Sequence, residues 1–137
     1  MARPATDGTG RCALVVDDDR AVAAVLGAFL TRLGVEAIIA GGRDDGERRL
    51  AERDDWTLVV TDLQLTVNEQ AEGLALLRKA RERCPQACII LVSGSPGSNI
   101  AEVARHNGAD HFLAKPVSFA AFRACVGPWL RERPPPA

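Results

Sequence analysis

Several features that would assign this chain to a specialised class are missing from it. No run approaches the ~20 apolar residues that a membrane span requires. Seventeen Lys plus Arg stand against eighteen Asp plus Glu, a formal net charge of −1. The chain therefore lacks the basic excess that draws proteins to nucleic acid or anionic membrane, and any effect on DNA would pass through another molecule. Cysteine is too sparse for a disulfide-built secreted scaffold, and Cys84 and Cys88 are one residue too far apart for a C-x-x-C motif. With no His near them to suggest zinc, Cys12, Cys84, Cys88 and Cys125 read as reduced thiols of a cytoplasmic protein. Residues 1–10 have no apolar core of the kind a signal peptide carries. The two histidines, His106 and His111, have no paired nucleophile in view and read as structural. Ser93-Gly94-Ser95-Pro96-Gly97-Ser98 lacks the Gly-Lys-Ser/Thr ending of a phosphate-binding P-loop. Internal repeats and low-complexity tracts are absent.

What is present is one domain's worth of alternating structure. A length of 137 residues suits a single core, which most often holds roughly 100–150 residues. With 47% apolar and 26% charged residues, such a core can be buried. Residues 11–132 are expected to form it, with 1–10 a flexible N-terminal segment and Arg133-Pro134-Pro135-Pro136-Ala137 a Pro-rich tail or linker stub. Apolar β-type runs predict strands at 11–16, 35–40, 56–61, 87–92 and 111–114. Between them lie helical patterns. The first runs over 20–33, with Val22, Val25, Leu26, Phe29, Leu30 and Leu33 on one apolar face, Asp19 as its N-cap and Gly34 closing it. The second, over 44–52, is charged nearly all round apart from Leu50 and Ala51 and is expected to pack weakly. The third is built from Leu74, Leu76, Leu77 and Ala80 after a loop reaching to about Ala71, and it ends near Cys84-Pro85. The fourth covers 100–107, with Ser98 as N-cap and Gly108 after it. The last starts near Ser118, and Gly127-Pro128 is expected to kink or end it. Strict alternation of strand and helix implies a parallel sheet covered by helices on both faces, with its ligand site at the carboxyl edge.

At that edge the chemistry gathers. Leu58-Val59-Val60-Thr61 runs into Asp62, Leu14-Val15-Val16 into Asp17-Asp18-Asp19, Ile89-Ile90-Leu91-Val92 into Ser93-Gly94, and Phe112-Leu113-Ala114 into Lys115-Pro116. An acidic triplet alone is most simply a helix cap, and a Lys-Pro alone a surface turn. A second acid at the same edge changes the balance, because clustered carboxylates repel and a hard divalent cation such as Mg²⁺ relieves the repulsion. Lys115 is then an anion partner, and Ser93-Gly94 offers a hydroxyl and an open backbone amide. Metal, carboxylate, Lys and hydroxyl together suit phosphoryl transfer to an Asp.

These pieces, with Gly108-Ala109-Asp110-His111-Phe112-Leu113-Ala114-Lys115-Pro116, resemble the response-regulator (CheY-like) receiver domain of two-component phosphorelay signalling, and the resemblance covers about 12–130. It implies an α/β, flavodoxin-like, doubly wound (βα)5 three-layer sandwich around a five-stranded parallel sheet of order 2-1-3-4-5. By the same resemblance Asp62 is the phosphoacceptor, Asp18 a direct Mg²⁺ ligand, Asp17 a ligand acting mainly through water, and the Gln64 carbonyl the remaining protein contact of the metal. Lys115 matches the Lys that contacts the phosphoryl group, Ser93 the switch hydroxyl and Phe112 the switch aromatic. The implied partners are a histidine kinase or His-phosphotransfer protein upstream and an unnamed protein downstream. The face made by the fourth helix, fifth strand and fifth helix would change on phosphorylation, and it also allows a homodimer. No separate enzymatic activity is implied beyond self-catalysed phosphotransfer and dephosphorylation.

Three positions depart from that pattern. Thr66 stands where the family usually has Pro, residues 67–72 lengthen the loop to Gly73, and Phe112 replaces the more usual Tyr. Two other functions compete with the first. Asp62-Leu63-Gln64-Leu65-Thr66 resembles the Asp-x-Asp-x-Thr motif of haloacid-dehalogenase-like phosphatases, but Gln64 replaces the acid that would protonate a leaving group. The long loop would suit a protein-interaction module that works without phosphorylation.

Overall fold

The structure is a computed structural model describing residues 10–62, 70–94 and 100–132. Its elements are β1 (Cys12–Val16), α1 (Arg20–Arg32), β2 (Glu36–Ala40), α2 (Arg43–Ala51), β3 (Leu58–Asp62), α3 (Gln70–Arg83), β4 (Cys88–Ser93), α4 (Ile100–His106), β5 (His111–Ala114) and α5 (Phe119–Glu132). The five strands form one sheet of order β2-β1-β3-β4-β5, parallel throughout, as the alternating sequence predicts. No described helix is long and apolar enough to cross a membrane.

Side-chain alternation along the strands divides the core into two layers. Cys12, Leu14, Val16, Val59, Ile89 and Leu91 face one side, where α2, α3 and α4 cover them with Leu50, Leu76, Leu77, Ala80, Ile100 and Ala104. Ala13, Val15, Leu58, Val60, Ile90 and Val92 face the other, where α1 and α5 supply Ala23, Leu26, Leu30, Phe122, Val126 and Leu130. Strands β1, β3 and β4 are buried on both faces, which is why they read as unbroken apolar runs.

Four expectations need correction. The buried line of α1 is Ala23, Leu26 and Leu30, and Val25 is 46% exposed. Its apolar stripe is wider than the contact it makes, and docking on the sheet chose its Ala23 side. α2 is not loosely held. Gly46 brings its backbone so close to β1 and α3 that a Cβ there would stand 2.9 Å from Val16 Cγ1 and 3.2 Å from Leu76 Cδ2. Leu50 is buried beside this contact, and Lys79 reaches back from α3 to pair with Glu47 at 2.8 Å. α3 begins at Gln70, before the expected end of the loop. Finally, α5 neither ends nor breaks at Gly127-Pro128 but runs to Glu132, because Val126, Gly127 and Leu130 are buried and hold the last turns.

The predicted caps are present at both ends of the argument. Asp19 Oδ1 accepts from the amides of Ala21 and Val22 at 3.0 and 3.2 Å. Gly34 and Gly108 follow α1 and α4 with φ of 79° and 107°, backbone that favours glycine. Ser118 Oγ accepts from the Ala121 amide at the start of α5. Ser98 lies outside the described residues.

Candidate functional site

Strand register assembles the site. Val16 pairs with Thr61 across β1 and β3, Asp62 with Val92 across β3 and β4, and Ser93 with Ala114 across β4 and β5. The residues that follow or end these strands, Asp17, Asp62, Ser93 and Lys115, therefore reach the same carboxyl edge. The alternation that turns Val15, Val60 and Leu113 toward α1 and α5 also gives Asp17, Asp62 and Lys115 a common side.

There the Lys115 ammonium lies between two buried carboxylates, 3.0 Å from Asp17 Oδ2 and 3.3 Å from Asp62 Oδ2. Asp17 is 2% exposed and Asp62 6%. Asp17 is fixed by the chain around it. Its Oδ1 accepts from the Asp19 amide at 2.9 Å, and its own amide donates to the Ala40 carbonyl at 3.1 Å. Burial works against the charge of Lys115, but contacts with Asp17 and Asp62 outweigh it and hold the ammonium above its ordinary pKa. The Lys115 amide in turn donates to the Ser93 carbonyl at 2.8 Å, tying β5's exit to β4's. The Lys115-Pro116 peptide is cis.

Asp18 is exposed, and oxygens of Asp17, Asp18 and Asp62 all lie within 4.8 Å of one another. Asp17 Oδ2 is buried and receives no hydrogen bond of proper geometry, although Lys115 stands at ion-pair distance. A buried carboxylate oxygen with lone pairs to spare, beside two further carboxylates, is a donor set that a hard, oxygen-seeking cation suits. Asp17, Asp18 and Asp62 would hold it. Gln64, expected to add its carbonyl, lies outside the described residues, as does 63–69 of the long loop.

Ser93 is 4% exposed at the end of β4, and Gly94 beside it is exposed. A Cβ on Gly94 would stand 3.7 Å from the Lys115 Cδ, an ordinary contact. Phe112, opposite Leu91, is half-buried and packs on the α2-α3-α4 side of the sheet. His106 ends α4 and His111 opens β5, at the edge away from Asp62. The four cysteines are free. Missing from the sequence reading were the Asp19 amide and the Ala40 carbonyl, backbone groups that carry no residue-type signal.

A family profile described as Response regulator receiver domain matches residues 13–126. The chain belongs to the response regulator receiver domain family. Response regulator protein PilR of Pseudomonas aeruginosa is 30% identical over 91% of the chain, and the DNA-binding transcriptional regulator NtrC of Azospirillum brasilense is 32% identical over 90%. The matched segments are 27% and 25% of those proteins, so this receiver chain spans about a quarter of their length. Among solved structures, a CheY-like receiver domain protein from Methanospirillum hungatei JF-1 superposes with a TM-score of 0.78 at 27% identity, covering 89% of this chain and 94% of that one. A response regulator from Burkholderia pseudomallei, solved with a phosphorylated aspartic acid, calcium ion and citrate, gives 0.75 at 25% identity, covering 90% and 73%.

Proposed function

We propose that this receiver takes a phosphoryl group from a phosphohistidine onto Asp62, and that the acyl phosphate then changes the surface it shows to a partner. One observation carries the reading: a single Lys115 ammonium serves two buried carboxylates, Asp17 and Asp62, at the carboxyl edge. An Asp62 oxygen attacks phosphorus in line as the phosphorus–nitrogen bond of the donor breaks, its electron pair staying on the nitrogen; the donor ring takes a proton from water and is left as neutral imidazole, and a mixed anhydride forms on Asp62. Lys115 moves from neutralising the Asp62 carboxylate to neutralising a phosphoryl oxygen, and the Ser93 hydroxyl and Gly94 amide would donate to another. Mg²⁺ held by Asp17, Asp18 and Asp62, with the Gln64 carbonyl, would offset the remaining negative charge of the transferring group. Such catalysis is chiefly positioning and charge compensation, which suits residues fixed on strand ends.

Ser93 and Phe112 form the proposed readout. Movement of the hydroxyl toward the phosphoryl group frees space for the ring, and the α4-β5-α5 face repacks as a shift between two populated states. The phosphoryl donor would be a histidine kinase or His-phosphotransfer protein, and output would pass to a protein partner.

The test is chemical. Incubated with Mg²⁺ and acetyl phosphate, the protein should form an acid-stable, base-labile adduct that is absent from Asp62→Asn and from samples with excess chelator. An adduct of equal yield on Asp62→Asn would remove the assignment, and failure to form one with acetyl phosphate or any phosphohistidine donor would remove the function.

A further inference from the structure

The sheet has two outer strands, and β2 is the one that takes no part in the proposed switch. It pairs only with β1, and whereas β1, β3 and β4 are buried throughout, four of its five residues are not. Outer strands present backbone groups that can pair with another chain, and proteins commonly blunt them with Lys, Pro or a bulge. Glu36-Ala37-Ile38-Ile39-Ala40 has none of these, and its register with β1 runs unbroken from Cys12 opposite Glu36 to Val16 opposite Ala40. The Glu36 amide donates to the Arg11 carbonyl and the Ala40 carbonyl accepts from the Asp17 amide, so these residues address β1. Strand alternation then gives Ile38 to β1 as well and turns the N–H and C=O of Ala37 and Ile39 outward. The ladder they offer is bounded at both ends. The Val35 amide is taken by the Leu30 carbonyl at 2.9 Å, and the Gly41 amide by Asp45 Oδ2 at 3.4 Å.

The side chains around this open ladder are nearly free of charge. Ile39 is 41% exposed, one of two large apolar residues so exposed among the described residues. α1 lies over β2 at Gly27, where a Cβ would stand 3.6 Å from Ile39 Cδ1 and 3.9 Å from Ala37 Cβ, and exposed Ala24, Ala28 and Thr31 border that contact. We propose that β2 pairs antiparallel with β2 of a second copy of this chain, about a two-fold axis through Ile38. In that register Ala37 of each copy exchanges backbone hydrogen bonds with Ile39 of the other, and Ile38 meets its own counterpart as the close, non-hydrogen-bonded pair. Centring the axis on Ile39 or on Ala37 would instead set Ala37 against Gly41 or Ile39 against Val35, whose amides are already engaged. Charge complements the pairing. Antiparallel strands bring the amino end of one β2 beside the carboxyl end of the other, so Glu36 comes to the side where Arg43 of the second copy opens α2. A two-fold contact of this kind is self-complementary and closes as a dimer. Because β5 is the opposite outer strand, the dimer carries both α4-β5-α5 faces at its far ends.

Sedimentation of the full chain from micromolar to near-millimolar concentration should show monomer passing to dimer. Ile39→Lys puts a charge on an exposed side chain of the open strand, so it should keep native amide dispersion and stay monomeric over the same range. Cross-linking tests the register. Cys12, Cys84 and Cys88 are buried, so Cys125→Ser supplies a background without an accessible thiol. In that background Ile38→Cys should form a disulfide-linked dimer under diamide severalfold faster than Ile39→Cys, although Ile39 is the more exposed of the two. Opposed residues on the axis have Cβ atoms about 4.5–5.5 Å apart, whereas Ile39 and its counterpart are diagonal neighbours at about 7–8 Å. A parent chain that remains monomeric throughout would overturn the proposal. So would a dimer that Ile39→Lys leaves intact, or cross-linking that is faster through Ile39→Cys, since another surface or register would then join the copies.

Discussion

At the scale of single residues, Lys115 is the balance point of the site. Two carboxylates that are almost fully buried share its one positive charge, and losing one member of a buried pair typically costs about 3–5 kcal/mol. Lys115→Ala should therefore lower stability in chelator by about 3 kcal/mol, and added Mg²⁺ should recover part of the loss by binding the same acids. Urea unfolding with and without Mg²⁺ measures both. The raised pKa of Lys115 fixes the sign of its pH dependence: its contribution is whole below about 10.5 and is lost as pH climbs through the higher folded value. Cys12 acts in the same direction for a different reason. Burial chiefly pushes its thiol up from 9.0 to about 11, so the folded state keeps a proton that the unfolded state releases. Stability should fall as pH rises from 9 to 11, by up to about 2.7 kcal/mol for a two-unit shift. Cys12→Ala should flatten that part of the curve of unfolding free energy against pH, and an unchanged slope would mean that Cys12 does not titrate there. Asp17, Asp18, Asp62 and Lys115 were legible because each ends or follows an apolar run. Asp19's double part was half legible: its cap is a local pattern, but the Asp17 carboxylate accepting its amide is a fact of the folded turn.

At the scale of elements, sequence pattern located the helices but not how they settle. α2 reads as a charged helix with little to bury, and what holds it is the absence of a side chain at Gly46. Adding a methyl there gains up to about 1 kcal/mol of helix propensity but forces contacts that usually cost about 1–3 kcal/mol. Gly46→Ala should thus be net destabilising. Because its Cβ would stand 2.9 and 3.1 Å from the two Val16 methyls, the double change Gly46→Ala with Val16→Ala should cost less than the sum of the singles. Denaturant midpoints of the four proteins give the coupling directly. α5 shows the reverse error, where a breaker in sequence is overruled by packing. Pro128 is exposed and cannot donate to the Ala124 carbonyl, while Val126 and Leu130 on either side are buried. Pro128→Ala should restore that bond without giving up core area and raise stability by about 1–3 kcal/mol. A lowered melting temperature would show that the ring packs to advantage where it is.

At the scale of the whole molecule, the two edges of the sheet divide the work. The carboxyl edge holds charged groups close together, and the amino edge is where long-range ties secure the frame. The parallel sheet followed from alternation, its strand order from the family resemblance and the acids' common edge from strand ends, but these ties could not be read from sequence, because they join residues far apart along the chain, many through backbone carbonyls. Arg81 at the end of α3 is the plainest case. Its Nε donates to the Gly108 carbonyl at 2.9 Å, its Nη1 to the carbonyls of Pro85 and Ala87 at 3.1 Å each, and its Nη2 to Asp110 Oδ2 at 2.7 Å. That same Asp110 oxygen accepts from the Ile89 amide at 2.9 Å, so one guanidinium joins α3, β4 and the turn into β5. Gly108 completes the arrangement, with φ of 107° and no room for a Cβ, which would lie 2.9 Å from Arg81 Cβ. A lysine cannot reproduce a planar fork with several fixed donors. Hydrogen bonds from charged groups contribute about 1.5–3 kcal/mol each when well buried and less when solvent screens them, as it partly does here. Arg81→Lys should accordingly cost about 2–3 kcal/mol in urea unfolding. Since Arg81 lies at the opposite edge from Asp62, the folded variant should still take phosphate from acetyl phosphate at the parental rate. A slowed reaction in fully folded Arg81→Lys would show that the amino-edge ties also set the geometry of the acids, and that the two edges are mechanically one.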